Sequence, residues 1–261
     1  MRRERSITWV LAAVYGALMF ALGWSRYATC HNHTFDLALY ARSAWGLARG
    51  AVWNPIADST FVHLHASWLL LPLGLLGRVF GVVPVLLFAQ SLSIALCLWP
   101  LTRIATRHLG AIGRWIAPLL WIAYPNLGHV GSYEMHPGTL ALLPLCWALD
   151  ALDRTDGSAL AWCCVGVVAC RADYALLTSV IGVLFATTSR SQVRRGVSIA
   201  VASIGYLALV LGAQHVFVAH GVQSSTLHFG PWGGSPLGIV RMLFTDSARV
   251  FDHLFTLTRI T

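Results

Sequence analysis

Three carboxylates, three imidazoles and two guanidinia stand where this chain could do chemistry. Asp36 opens a helix-like segment that also carries Arg42. His63 and His65 are two apart, Glu134 and His136 repeat that spacing before Pro137, and Arg171 and Asp173 interrupt an apolar run. A positioned carboxylate takes a proton from a hydroxyl, imidazole and carboxylate together hold a divalent metal, and a guanidinium forks onto phosphate. On an extended segment, i and i+2 side chains share a side. His63, His65, Glu134 and His136 are therefore the candidate ligands of a divalent metal ion. Asp36 is the candidate base or metal ligand. It also has a simpler reading, as a charge favoured by the helix dipole in a first turn. Arg42, His65, Arg171 and Asp173 are the candidate substrate contacts. If 171 and 173 lie on a helix, their side chains point to different faces and each needs another partner or water.

The elements that must position these groups follow from composition. Of 261 residues, 57% are hydrophobic and 11% charged, against about 25% charged in a soluble domain. Mean hydropathy is +0.67. Such a chain cannot coat itself as a cytosolic enzyme, a nucleic-acid-binding domain or a disordered tail would, and a polytopic membrane protein remains. The net charge of +8 comes from arginines grouped between apolar runs. That grouping marks membrane topology and predicts no nucleic-acid partner. The six cysteines form no CxxC pair, and all but Cys30 lie in apolar runs, as small hydrophobes do.

Uncharged windows predict helical spans at 6–25, 79–102, 115–133, a shorter 138–149, the paired runs 158–170 and 174–189, and 196–213. The first is read as an uncleaved helix rather than a signal peptide. With the N-terminus inside, the arginines at 2, 3 and 5, at 103, 107 and 114, at 154, and at 190, 194 and 195 all fall inside. The positive-inside rule then predicts about seven crossings, N-in and C-out, with Arg171 and Asp173 near the outer face. His31, His33, His63, His65, His129, His136, His215, His220 and His228 fall toward that face and His108 toward the other. Residues 26–78 make a long first outer loop. Within it, 34–50 reads as an interfacial helix with Thr34 as N-cap and Gly50 as stop, and 66–77 is apolar but too short to span. Phe229 and Trp232 suit an interfacial belt, and 237–261 reads as an amphipathic segment. The predicted fold class is all-α, a single integral-membrane helical bundle.

Several segments resemble a bacterial and archaeal family of predicted membrane proteins, domain of unknown function two thousand and seventy-nine. Phe35 to Trp45 resembles its FDLGIYDQALW segment and His65-Ala66-Ser67 its DHFSP. Glu134 to Pro137 resembles EFHPE, Arg171 to Asp173 with Ala175 to Leu177 resembles KEDAALL, and Gly230 to Leu237 resembles a later LGxSP-type turn. Four acidic positions of those motifs differ here: Ala41-Arg42 replaces Asp-Gln, Leu64 an Asp, Gly138 a Glu and Ala172 a Glu. Relatives run longer, which implies that this chain is a shortened paralogue or a fragment.

That family in turn resembles the GT-C class of membrane glycosyltransferases. The resemblance implies a GT-C-like bundle in the cytoplasmic membrane with its site on the outer face. Its donor would be a polyprenyl-phosphate-linked sugar, with Asp36 as catalytic or metal-binding acid. The alternatives are a non-enzymatic transporter, a lipid-binding or metal-binding module, or an inactive paralogue.

Overall fold

An amide that meets no water must pair within its own segment, so long apolar runs become helices. The computed structural model describes residues 2–31, 35–216 and 236–248 and is helical over most of them. The chain divides into a unit of residues Met1–Val216 and a second of Phe217–Thr261.

The first unit begins with α1 (Arg2–Ala28), then α2 (Phe35–Leu47) and a two-residue antiparallel hairpin, β1 (Trp53–Asn54) and β2 (Ser59–Thr60). Gly50 stops the α2 segment with φ of 77°. Thr34, the expected cap, lies outside the described residues. The hairpin was not foreseen. Asn54 docks it, its amide donating to Leu39 O at 2.8 Å and Ser43 Oγ at 2.7 Å.

Next come α3 (Leu70–Phe80), α4 (Val82–Leu96) and α5 (Leu98–Leu109). The span expected at 79–102 begins instead at Val82, because Gly81 (φ 85°) ends α3, and continues to Leu109. Pro100 has no N–H for the Leu96 carbonyl, and the helix loosens at Cys97 between α4 and α5. α1 runs antiparallel to this pair, with Trp9 on Trp99 and Phe20 on Phe88.

The expected span 115–133 is broken into α6 (Gly113–Ala123) and α7 (Pro125–Ser132). Proline disfavours the helical region for its predecessor, and Tyr124 is extended at φ −71°, ψ 112°. A short α8 (Pro137–Leu140) and α9 (Leu142–Asp153) follow. Then α10 (Gly157–Cys170) and α11 (Ala175–Thr188), the two paired runs, form a hairpin that turns at 171–174, and α12 (Val193–Val216) completes the unit. α11 and α12 pack backbone to backbone. A Cβ on Gly182 would come within 2.8 Å of Gly196 O, so both positions need a hydrogen for a side chain.

Ile7–Ala28, Val82–Leu109 and Arg190–Gln214 are long and apolar enough to cross a membrane. α10 and α11 have 14 residues each, about 21 Å of rise against a hydrocarbon core of about 30 Å. The outer faces of α10 and α12 suit lipid: Trp162 is 77% and Leu209 75% exposed. All six cysteines are free thiols.

In the second unit the described residues contain one helix, α13 (Pro236–Thr245), within the segment read as amphipathic. His33, His220, His228, Phe229, Trp232 and the 230–235 part of the turn motif lie outside the described residues.

Candidate functional site

One end of the first unit gathers polar groups from four places: the first turns of α2, the 61–69 loop, the α7–α8 link and the α10–α11 turn. Buried side chains tie these pieces together. Gln90 on α4, 1% exposed, accepts from His136 N–H at 3.0 Å and donates to Val130 O at 3.2 Å. Glu134, 2% exposed, accepts the Leu37 N–H of α2 at 3.0 Å through Oε2, and its Oε1 is buried without a hydrogen bond. Glu134 thus caps one of the orphan amides of a helix start from another segment. Asp36, next to Leu37, is not needed for that amide.

Two residues of the 61–69 loop, His65 (φ 70°) and Ala66 (φ 44°), are left-handed, a conformation that costs a non-glycine residue energy and concentrates at functional sites. Backbone bonds hold it there: Ala172 N–H donates to His65 O at 2.8 Å and Leu69 N–H to Ala169 O at 3.0 Å. The turn separates the two histidines expected to share a side. His63 hydrogen-bonds Thr60 Oγ1 at 2.9 Å and Gln214 O at 3.0 Å, while His65 Nδ1 meets Arg171 Nη2 at 3.2 Å. A guanidinium cannot accept, so that Nδ1 is the acceptor.

Arg171 and Asp173 were expected to face apart. They pair in a fork instead, Nε to Oδ1 at 3.0 Å and Nη2 to Oδ2 at 2.6 Å. The reason is local. α10 ends at Cys170, Arg171 is extended (φ −152°, ψ 128°) and Ala172–Tyr174 is a 3-10 turn, so helical i, i+2 geometry does not apply. Among the described residues Arg171 Nη1 has no protein acceptor. The guanidinium also lies 5.2 Å from the Tyr174 ring.

His136 sits between Tyr40 and His65, ring centroids 5.3 and 6.4 Å away. Its Nδ1 accepts from Gly138 N–H at 3.2 Å, which puts the ring proton on Nε2, facing Tyr40 Oη at 3.4 Å. Burial, then the Arg171 charge, lowers the His136 pKa, against the opposing charges of Asp36 and Asp173. Burial and then Asp36 push the Tyr40 phenol up to about 12. The cluster therefore presents a half-buried carboxylate, a neutral imidazole, a protonated phenol and a cation. Gly138, where the motif has Glu, lets Tyr174 close in: a Cβ there would stand 2.7 Å from its hydroxyl.

His65, His136, Arg171 and Asp173 are brought together, with Asp36 close enough for its charge to act on Tyr40 and His136. Arg42 is not among them. Its guanidinium lies 4.6 Å from the Trp45 ring, which Arg49 also covers at 4.0 Å. His63 turns to α12. Among the described residues no three His, Cys, Asp or Glu side chains are grouped to hold a metal ion. As placed, His63 has both ring nitrogens engaged and the His136 nitrogen that faces Tyr40 carries a proton. Sequence reasoning missed Tyr40, Gln90 and Tyr174. Tyr40 had a signal, one turn after Asp36 on the same helix face.

Two outcomes follow for the ties. Glu134→Ala is expected to lower stability by about 1–2 kcal/mol through the lost cap, and Glu134→Gln, whose carbonyl still accepts from Leu37, to keep it. Thermal unfolding in detergent reads both. The unfolded chain protonates His136 near its ordinary value, about 6.5, and the folded chain only at lower pH. Its contribution is therefore fully present above about 6.5 and is lost as pH falls through the folded value. His136→Asn retains an N-cap acceptor and should flatten unfolding midpoints between about pH 7.5 and 5.5.

Fold and site together define an α-helical membrane protein with a polar cluster built at one end of its helices. The family model described as Predicted membrane protein (DUF2079) matches residues 26–261, and the chain belongs to that family. No curated protein and no solved structure matches it.

Proposed function

We propose that the protein is a membrane glycosyltransferase of GT-C type that takes its sugar from a polyprenyl-phosphate donor at the outer face of the cytoplasmic membrane. The supporting observation is that Asp36, His136, Tyr40, His65 and the Arg171–Asp173 pair share one cluster, although they come from four separate segments. An acceptor hydroxyl attacks the anomeric carbon, the carbon–oxygen bond to phosphate breaks, and the electron pair leaves with the phosphate. Asp36 takes the hydroxyl proton. Arg171, charged and with Nη1 bonded to no described residue, receives the phosphate. Tyr40, neutral and oriented by the His136 ring beside it, donates a hydrogen bond to a sugar or phosphate oxygen. About seven crossings with the N-terminus inside belong to the same proposal.

Purified full-length protein in proteoliposomes, given a panel of polyprenyl-phosphate sugars, is expected to transfer sugar with or without chelator, and Asp36→Asn is not. Absence of transfer by the wild type across the panel, or equal transfer by both proteins, overturns the proposal.

A further inference from the structure

The opposite end of the first unit carries a second constellation that the proposed reaction does not use. α10 and α12 run side by side in the same direction, and an apolar groove of about 580 Å³ lies along them, lined by Ala161, Val165, Val168, Ala202 and Tyr206. A hydrogen bond from Trp68 Nε1 to Tyr206 Oη, 3.0 Å, stands at its upper end. At the lower end is a polar pocket of about 410 Å³, lined by Gly157, Ser158, Arg194 and Arg195. Ala161, Ser198 and Ile199 line both, so the two spaces adjoin.

The pocket is cationic without compensation. Among the described residues Arg194 and Arg195 have no carboxylate partner. The acid beside them is already engaged: Asp156 accepts from Ala159 N–H at 3.0 Å and pairs with Arg154 at 3.2 Å. Arg195 lies across the first turn of α10, its Cδ 2.9 Å from where a Gly157 Cβ would be. Two guanidinia without a described carboxylate partner and the Ser158 hydroxyl therefore line a space that adjoins an oily slot. A soluble anion has no use for the slot, and a neutral lipid has no use for the arginines. An anionic lipid uses both.

We propose that these adjoining spaces bind an anionic glycerophospholipid of the surrounding bilayer, with its phosphate between Arg194, Arg195 and Ser158 and one acyl chain in the α10–α12 groove. The proposal is independent of the transferase reading.

Native mass spectrometry of the full chain, loaded with dioleoylphosphatidylglycerol or dioleoylphosphatidylcholine, tests it. The wild type is expected to retain the anionic lipid about tenfold better, the scale of one charge-assisted contact. Arg194→Gln with Arg195→Gln should remove the preference. Ala202→Phe, a change at an exposed groove residue, should lower retention of both lipids. Glycerol 3-phosphate, which has no chains, should fail to compete. Equal retention of the two lipids by the wild type overturns the proposal, as does undiminished retention by Ala202→Phe. Competition by glycerol 3-phosphate would make this a site for soluble phosphates and overturn it too. If the arginine variant fails to insert, the wild-type comparison and Ala202→Phe still decide.

Discussion

Asp36→Asn is expected to lower sugar transfer by about 10²–10⁴, the usual worth of one positioned base, and to leave insertion and thermal stability close to wild type. The two halves of that expectation have separate causes. Catalysis needs a carboxylate that can take a proton, and an amide cannot. Stability is spared because the amide of the α2 first turn is held by Glu134 rather than by its neighbour, and because Asp36 is not in the hydrophobic core. A simple capping charge would behave in the opposite way, with stability falling and turnover persisting. Asp36→Glu separates position from charge. It restores the carboxylate one methylene too far out, and a displacement near 1 Å costs about 10² in rate. Turnover of Asp36→Glu equal to wild type would mean the group is not held against its substrate at all.

Much of the fold was legible because it follows from hydrophobicity alone. Long uncharged windows became α1, α4 with α5, and α12, and the interruption at Arg171 became the turn of a hairpin. Breaks were harder to read. Pro125 turns one expected span into two helices because of what it does to Tyr124, and Gly81 moves the start of another. The site was legible as an inventory of charged residues but not as a geometry. The pairing of Arg171 with Asp173 depends on the backbone leaving the helix one residue earlier, and the separation of His63 from His65 on a left-handed turn. Gln90 and Glu134 were beyond periodic reading, because a buried polar residue gains its meaning from a partner far along the chain. Arg42 has the right chemistry on a different face of α2 from the Asp36 cluster, and a face one turn away is enough to remove it.

The largest stability effect is expected at the opposite end, from Asp150→Ala. Asp150 is fully buried on α9 and its carboxylate meets three guanidinia: Arg107 at 2.7 Å, Arg154 at 3.1 Å and Arg103 at 3.6 Å. Two of these come from α5, so one carboxylate joins α5 to α9. Its removal leaves Arg103 without a described carboxylate partner and takes from Arg107 and Arg154, which keep Asp153 and Asp156, their shared buried acceptor. Because the guanidinia are partly exposed, the cost is about 3 kcal/mol, the low end for breaking a buried network. Asp153, beside it, bonds Arg107 and His108 at 2.6 Å each but is partly exposed. Those bonds, the one from His108 first, hold its pKa below the ordinary carboxylate value. Solvent and salt weaken what such a pair contributes, so Asp153→Ala should cost about 1 kcal/mol or less. Thermal unfolding in detergent at low and high salt distinguishes the two: the Asp153 effect should shrink with salt and the Asp150 effect should persist. Equal losses from both would mean that Asp150 is reached by solvent. The contrast also bears on topology. Arg103, Arg107 and Arg154 count as three positive charges while the chain inserts, but in the folded protein Asp150 and Asp153 neutralise much of that charge. Among the described residues Arg194 and Arg195 then remain as cations without a carboxylate partner at this end of α10 and α12, in position to engage an anionic lipid.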